Sequence, residues 1–399
     1  MGYRLAVLAS YALLGEELKL GKNVYLVFDD STIVEVGFGK PDFVDEVHEY
    51  ENCLLMPGLV NCHVHMLHSA FKSMLNAADE NSITMVRERK KQFLGVALRS
   101  DLAKAIEEMV DFMLRIGTTT ILDFVEGGVE KVNLIYNVLS ATPINFLLLG
   151  QPDYEFSQDE VLLGNYRYPP HSIYPLIKVK DRLKGFGLPN PMSIPIEALR
   201  QMARIAEDHG LMKAIHVADI PPKPWEGVGA WKTQTEAALD FYRADILFHA
   251  NYIFDEDVKA IAERGSSVVC CTRLTQVLGL KPAPIDLMIK HGVNVVLGTG
   301  SPMVISPNMM REMEATYNFY MYLGKPIEPI EILKMATVNS SRALREKIGV
   351  IEEGYRADIV VLRLDIGGLH RINDVAAFIV KNACELNVLH VYVAGKRVC

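Results

Sequence analysis

The chain is short of cysteines, and the six it has are not spaced for a task. Cys53, Cys62, Cys270, Cys271, Cys384 and Cys399 are scattered over 399 residues without a CxxC pair. That excludes a disulfide framework and an all-cysteine zinc cluster, and it fits reduced thiols in a cytoplasmic protein. No apolar run reaches the length of a membrane span, so no membrane association is expected. Charge is equally dispersed: the net −8 is spread without a long acidic or basic run. A nucleic-acid groove and a polybasic membrane patch are therefore not expected. No glycine-rich phosphate loop follows any apolar strand, and no internal repeat is visible. The opening "MGYRLAVLASYALLG" has the length of a signal peptide but no small-x-small cleavage site. It reads instead as a strand, with a hairpin turning at Gly21-Lys22-Asn23.

Half of the residues are hydrophobic, enough for a large interior, and the length predicts two or three domains. Short strands with turns occupy residues 1–56. The same style returns after residue 346 in "ADIVVLRLD", "AFIVKN" and "VLHVYVAGKRV". Both termini are thus expected to build one small composite β-sandwich, 1–56 with 346–399. Between them, residues 57–345 alternate. Apolar strands read at "LLMPGLVN", 118–124, 144–150, 183–188, 211–217, 245–250, 266–271 and 293–299, with helical patterns in the gaps. One helix is expected with Ser193 as N-cap, Pro195 in the first turn and Gly210 as its end. Another is expected with Asp255 as cap and Gly265 as stop. Eight buried strands joined by helices predict an α/β fold, a (β/α)8 TIM barrel. An open doubly wound sheet is the alternative.

Histidines stand at the strand ends. In "MPGLVNCHVH", His63 and His65 are two apart and share one face of an extended strand. His216 closes the fifth apolar strand and His249 the sixth. At the C-terminal mouth of a barrel, four imidazoles from three strands converge on one cavity. Neutral imidazole is the commonest zinc ligand and a good one for iron. Taken alone, each histidine also reads as a hydrogen-bonded core residue; the joint pattern points to a metal.

The segments "MPGLVNCHVH", "GTTTILD", "AIHVAD", "LFHANYIFDED", "GVNVVLGTG", "SPNMMREME" and "IEEGYRADIVVL" together resemble the landmarks of the amidohydrolase superfamily. The similarity is greatest to the branch of guanine deaminase, S-adenosylhomocysteine deaminase and the triazine chlorohydrolases, and it runs over nearly the whole chain. It implies one zinc or iron ion per chain, held by His63, His65 and His216. His249 would polarise the substrate or steady the attacking water, and Asp219 would move a proton, standing where relatives carry a glutamate. Water activated by the metal would attack a ring carbon bearing nitrogen or chlorine. A cytoplasmic homodimer acting on a small molecule is expected.

The resemblance breaks at the mouth. Relatives end the eighth strand in "GTD", whose aspartate is both ligand and base; here "VVLGTG" places Gly300 there. "CTRLT" (271–275) replaces "CPRSN", and Tyr252 replaces a second histidine. Two functions follow: deaminase-type hydrolysis of a C–N bond in a small cyclic or heteroaromatic compound, or an inactive barrel that binds a small molecule or serves as a subunit. Asp123 reads as a residue that orders its strand end, Glu126 as a solvated loop residue, and His68 as a loop histidine near the metal. Cys270 and Cys271 read as buried strand residues. Trp225, Trp231 and Tyr252 are candidate substrate contacts, the tryptophans as stacking surfaces. The segment 151–182 is expected either to close over the mouth or to form a packing surface.

Overall fold

The computed structural model describes residues 3–72, 83–221, 232–364 and 372–399. Strands β1 (Arg4–Leu14), β2 (Lys19–Asp29), β3 (Thr32–Phe38) and β4 (Glu46–Pro57) come from the N-terminal region. The barrel strands follow: β5 (Leu59–Val64), β6 (Thr118–Val125), β7 (Asn145–Gly150) and β8 (Gly185–Leu188). They continue as β9 (Met212–Val217), β10 (Ile246–His249), β11 (Ser267–Cys270) and β12 (Asn294–Leu297). The C-terminal region adds β13 (Ile359–Arg363), β14 (Val388–Val393) and β15 (Lys396–Arg397).

β5 to β12 form one parallel eight-stranded sheet in sequence order, the arrangement of a TIM barrel. Its strands are buried along almost their whole length because helices cover the outside while side chains fill the inside. Val60, Leu122, Phe124, Leu149, Ala214, Ile246, Phe248, Val269 and Val296 make the inner core. The termini meet as expected in a second, mixed sheet of order β15-β14-β13-β4-β1-β2-β3. β4 is its seam, pairing parallel with β1 and antiparallel with β13. This sheet keeps its own core, with Val7, Leu26 and Phe28 from one end of the chain and Ile359, Val361 and Tyr392 from the other.

The barrel closes between β12 and β5 by backbone bonds. Thr299 and Gly300 N–H both donate to His63 O (3.0 and 2.8 Å), and His65 N–H donates to Gly300 O at 3.3 Å. Gly298 permits this approach, since a Cβ there would lie 2.6 Å from His63 Cβ. Asn61 reinforces the seam by accepting from Thr299 N–H and donating to the Thr299 hydroxyl.

Three local expectations are corrected. The first hairpin turns at residues 15–18, and Gly21-Lys22-Asn23 lie inside β2. The reason is register: Leu14 pairs with Lys19, so the left-handed Gly15 makes the reversal. The helix Ile196–Asp208 is entered from Pro195 without a side-chain cap, while Ser193 sits in a preceding 3-10 turn with its hydroxyl donating to Asn190 O. In Asp255–Arg264, Asp255 is the first helical residue, and Asp257 accepts the Phe254 N–H. Gly265 ends that helix in a left-handed conformation, as expected.

The segment 151–182 folds into two short helices, Gln158–Leu163 and Pro170–Lys178. Tyr168 is buried within it and its N–H is bonded to Gln201 of a neighbouring helix, whereas Leu162, Leu163 and Tyr174 remain exposed. No disulfide joins any of the six cysteines. Among the described residues no helix is long and apolar enough to cross a membrane.

Candidate metal centre

Two backbone irregularities bring the histidines inside. Strict alternation from Val60 and Cys62, both in the inner core, would turn His63 outward. Between Asn61 and Val64, however, β5 carries one residue more than β6, so the strand bulges and its side chains are re-aimed. The His63 ring then stacks on Phe248 at 4.1 Å between centroids, inside the barrel. His249 follows the inward Phe248 and by alternation would face outward. Its φ of 71° puts it in the left-handed region, which a non-glycine residue enters at a cost of about 1–3 kcal/mol. That turn brings its ring to 5.4 Å from His63 and 5.3 Å from His216. His216 needs no such device, because Met212, Ala214 and His216 alternate inward along β9.

The imidazoles converge. His63 Nε2 and His216 Nε2 lie 3.3 Å apart, and donor atoms of His63, His216 and His249 all fall within 4.8 Å of one another. His65 flanks the group, its ring 4.8 Å from His63 and 6.0 Å from His216. Burial lowers the pKa of all four rings, and neighbouring imidazoles lower those of His63, His65 and His216 further, whereas Asp219 opposes the shift at His249; His216 falls to about 3. Neutral rings with lone pairs turned toward a common space are what a divalent cation requires. The Nε2 edges of His63 and His216 face each other across this space, while His63 Nδ1 is buried without a hydrogen-bond partner and His65 Nδ1 has the Glu126 carboxylate at 3.7 Å.

Asp219 lies at the rim, half-buried, with Oδ1 accepting from Asn190 Nδ2 at 2.9 Å. Asn190 is itself held by Gln234, whose Oε1 also accepts the Ala218 N–H. Tyr252 is half-buried and its hydroxyl accepts the Lys281 N–H, so it ties two loops together. Trp225 and Trp231 lie outside the described residues.

Gly300, where the resemblance expects an acid, has φ 69°. A Cβ on it would sit 2.6 Å from Leu274 Cδ2 and 3.9 Å from Cys271 Sγ. Leu274, Cys271 and Ile305 form a small apolar cluster at this corner. The two departures at residues 274 and 300 are thus one packing event: the leucine fills space beside a residue without a side chain. Behind it, Glu312 accepts the Arg273 N–H through Oε1, while burial raises its pKa to about 7. An acid raised in the folded state favours folding below its ordinary pKa and loses that contribution as pH rises through about 7. Glu312→Gln is therefore expected to match the natural chain near pH 4 and to exceed it at pH 8 by ~1–3 kcal/mol. Thermal melts at the two pH values would check this, and a constant difference between them would refute it.

The sequence reading missed one group. Glu126, expected as a solvated loop residue, is half-buried against Lys90 (2.8 Å), His65 Nδ1 (3.7 Å) and His68 Nε2 (3.5 Å). Burial pushes its pKa up, but Lys90 and His68 outweigh that and hold the carboxyl well below the usual range. His68 is buried, its ring parallel to that of His65 at 4.7 Å, with Nδ1 2.9 Å from the Ser301 hydroxyl. The three-residue step from His65 to His68 was the only signal; nothing pointed to Lys90 on the helix Ile83–Val96. Asp123 takes the ordering role expected of it, accepting the Met66 N–H at the end of β5.

Comparison with known proteins agrees with this architecture. The chain is 27% identical over 97% of its length to a 5-methylthioadenosine/S-adenosylhomocysteine deaminase of Thermococcus onnurineus, covering 92% of that protein. It is 26% identical over 99% of its length to a 5'-deoxyadenosine deaminase of Methanopyrus kandleri, covering 93% of it. Among solved structures, an adenosine deaminase from Xanthomonas campestris with bound zinc superposes with a TM-score of 0.84 at 18% identity. That match covers 99% of this chain and 93% of the other. Guanine deaminase from C. acetobutylicum superposes with a TM-score of 0.78 at 17% identity, over 99% and 100% of the two chains. The model of the amidohydrolase family matches residues 54–398, from the last strand before the barrel to the end of the terminal sheet, and the chain belongs to that family.

Proposed function

We propose that the protein is a metal-dependent hydrolase that removes an amino group from a small cyclic or heteroaromatic compound. The convergence of His63, His216 and His249 within 4.8 Å at the barrel mouth, with His65 beside them, is the observation that carries this reading. His63, His65 and His216 would hold one divalent ion, zinc or iron. Bound there, such an ion lowers the pKa of water toward neutrality and polarises the carbon under attack.

The chain's own residues supply the rest. His249, kept neutral by burial and turned inward by its strained backbone, orients the ring atom that develops charge. Asp219, fixed by Asn190, stands at the rim where a leaving amine would need a proton, and it carries that proton. The proteins named above are deaminases named for adenosine-type compounds and for guanine, which makes an amino-substituted purine the first substrate class to try. Phe124 and Phe248 wall the histidine pocket with apolar surface and hold water back from it.

A second reading has one observation in its favour: Leu274 fills the corner beside Gly300 with hydrocarbon, which suits a binding protein that has given up its base. Metal analysis and ammonia release from a panel of amino-purines, amino-pyrimidines and amino-triazines separate the two. The hydrolase reading expects close to one equivalent of metal and release of ammonia by the metal-loaded protein. Less than about a tenth of an equivalent after incubation with zinc or iron would sink it. Stoichiometric metal without turnover on any member would favour the binder.

A further inference from the structure

The resemblance implies an acid at the end of the eighth strand, and this chain has Gly300 there. A carboxylate nevertheless approaches the histidines, from the opposite wall. Glu126, just past the end of β6, turns one oxygen to Lys90 and His65 Nδ1 and the other to His68 Nε2. His68 continues the line to the hydroxyl of Ser301, the residue immediately after Gly300. The path Glu126–His68–Ser301 therefore spans from the second strand end to the eighth and passes over the face of the His65 ring. His65 is held on every side that faces the wall: His68 lies parallel to it, Phe124 sits at 5.3 Å, and Glu126 faces its Nδ1. An imidazole has two nitrogens on opposite edges, so a carboxylate at Nδ1 leaves Nε2 for an ion and makes it a stronger donor.

We propose that Glu126 is a positioning residue for the metal: it fixes the His65 ring from behind and, through His68 and Ser301, stands in electrostatically for the acid absent at position 300. This rests on the hydrolase reading above, in that His65 must be a ligand. Lys90 has a defined part, since its ammonium holds the carboxylate in place inside the protein wall. Partners of this kind, though they never touch the ion, typically govern about 10–100-fold of its affinity.

Cobalt and zinc titration of the metal-depleted full-length chain tests the proposal. Glu126→Gln is expected to weaken binding ~10–100-fold and to alter the visible absorption of the cobalt form. Glu126→Asp is expected to fall between the two. Adding Gly300→Asp with Leu274→Ala to Glu126→Gln should restore much of the lost affinity, which a merely structural role for Glu126 would not allow. If the lone Lys90 prevents folding, Glu126→Gln with Lys90→Met serves in its place. Unchanged affinity in Glu126→Gln, while His216→Ala abolishes binding, overturns this proposal and leaves the hydrolase reading standing. So does weakened affinity that the pair at 300 and 274 fails to recover. A natural chain that binds no metal overturns both.

Discussion

Gly300→Asp, made alone, is expected to give a destabilised protein with little new activity, although it supplies the acid that the resemblance places at this strand end. Two costs add. The new Cβ meets Leu274 Cδ2 at 2.6 Å, an overlap with the branch of a buried side chain packed against Cys271 and Ile305. Overpacking of this sort costs about 1–3 kcal/mol. The backbone at φ 69° adds about 1 kcal/mol for aspartate, which tolerates the left-handed region better than most residues. Leu274→Ala with Gly300→Asp should recover most of the first cost and leave the second, so the pair is expected to be non-additive by about 1–3 kcal/mol. Melting of the natural chain, the two single variants and the double variant measures this. A Gly300→Asp variant as stable as the natural protein would show that Leu274 does not hold that corner. The double variant is also the sharper functional probe: new ammonia release would mark a site that has decayed, whereas slower turnover than natural would mark one rewired around its glycine.

His216→Ala is expected to remove both metal and turnover. Its Nε2 lies 3.3 Å from that of His63, and it is the imidazole that β9 brings to the group. The loss of metal polarisation is worth several kcal/mol, on the order of a 10³-fold fall in rate or more. A stability readout separates this from simple unfolding. Zinc at about 100 times its dissociation constant should stabilise the natural chain by about 2.7 kcal/mol and leave His216→Ala unmoved. The metal-free proteins should melt within a few degrees of each other. If zinc still stabilises His216→Ala to the natural extent, the ion binds elsewhere and the centre described above is not its site.

Much of this protein was open to sequence reasoning. The eight barrel strands are near-continuous apolar runs because both faces of a parallel barrel are covered, and such runs announce themselves. The composite terminal sheet was readable because short strands at both ends had no other partner. His216 was readable as well, since Met212, Ala214 and His216 keep the simple two-residue period along β9. The helix starts near Ser193 and Asp255 were misplaced by two residues and one, where proline and a backbone-accepting aspartate took over the entry.

The sequence by itself determined the architecture and named the imidazoles, because burial patterns and residue types are local properties that survive in one dimension. Only the tertiary structure decided how those imidazoles meet. His63 faces inward through a bulge in β5, and His249 through a left-handed backbone at the end of β10; both break the period that a linear reading must assume. Tertiary packing alone also joined Leu274 to Gly300 and set Glu126 against Lys90, His65 and His68. The energy of a charge depends on what surrounds it in space, and those surroundings come from segments dozens to hundreds of residues apart in the chain.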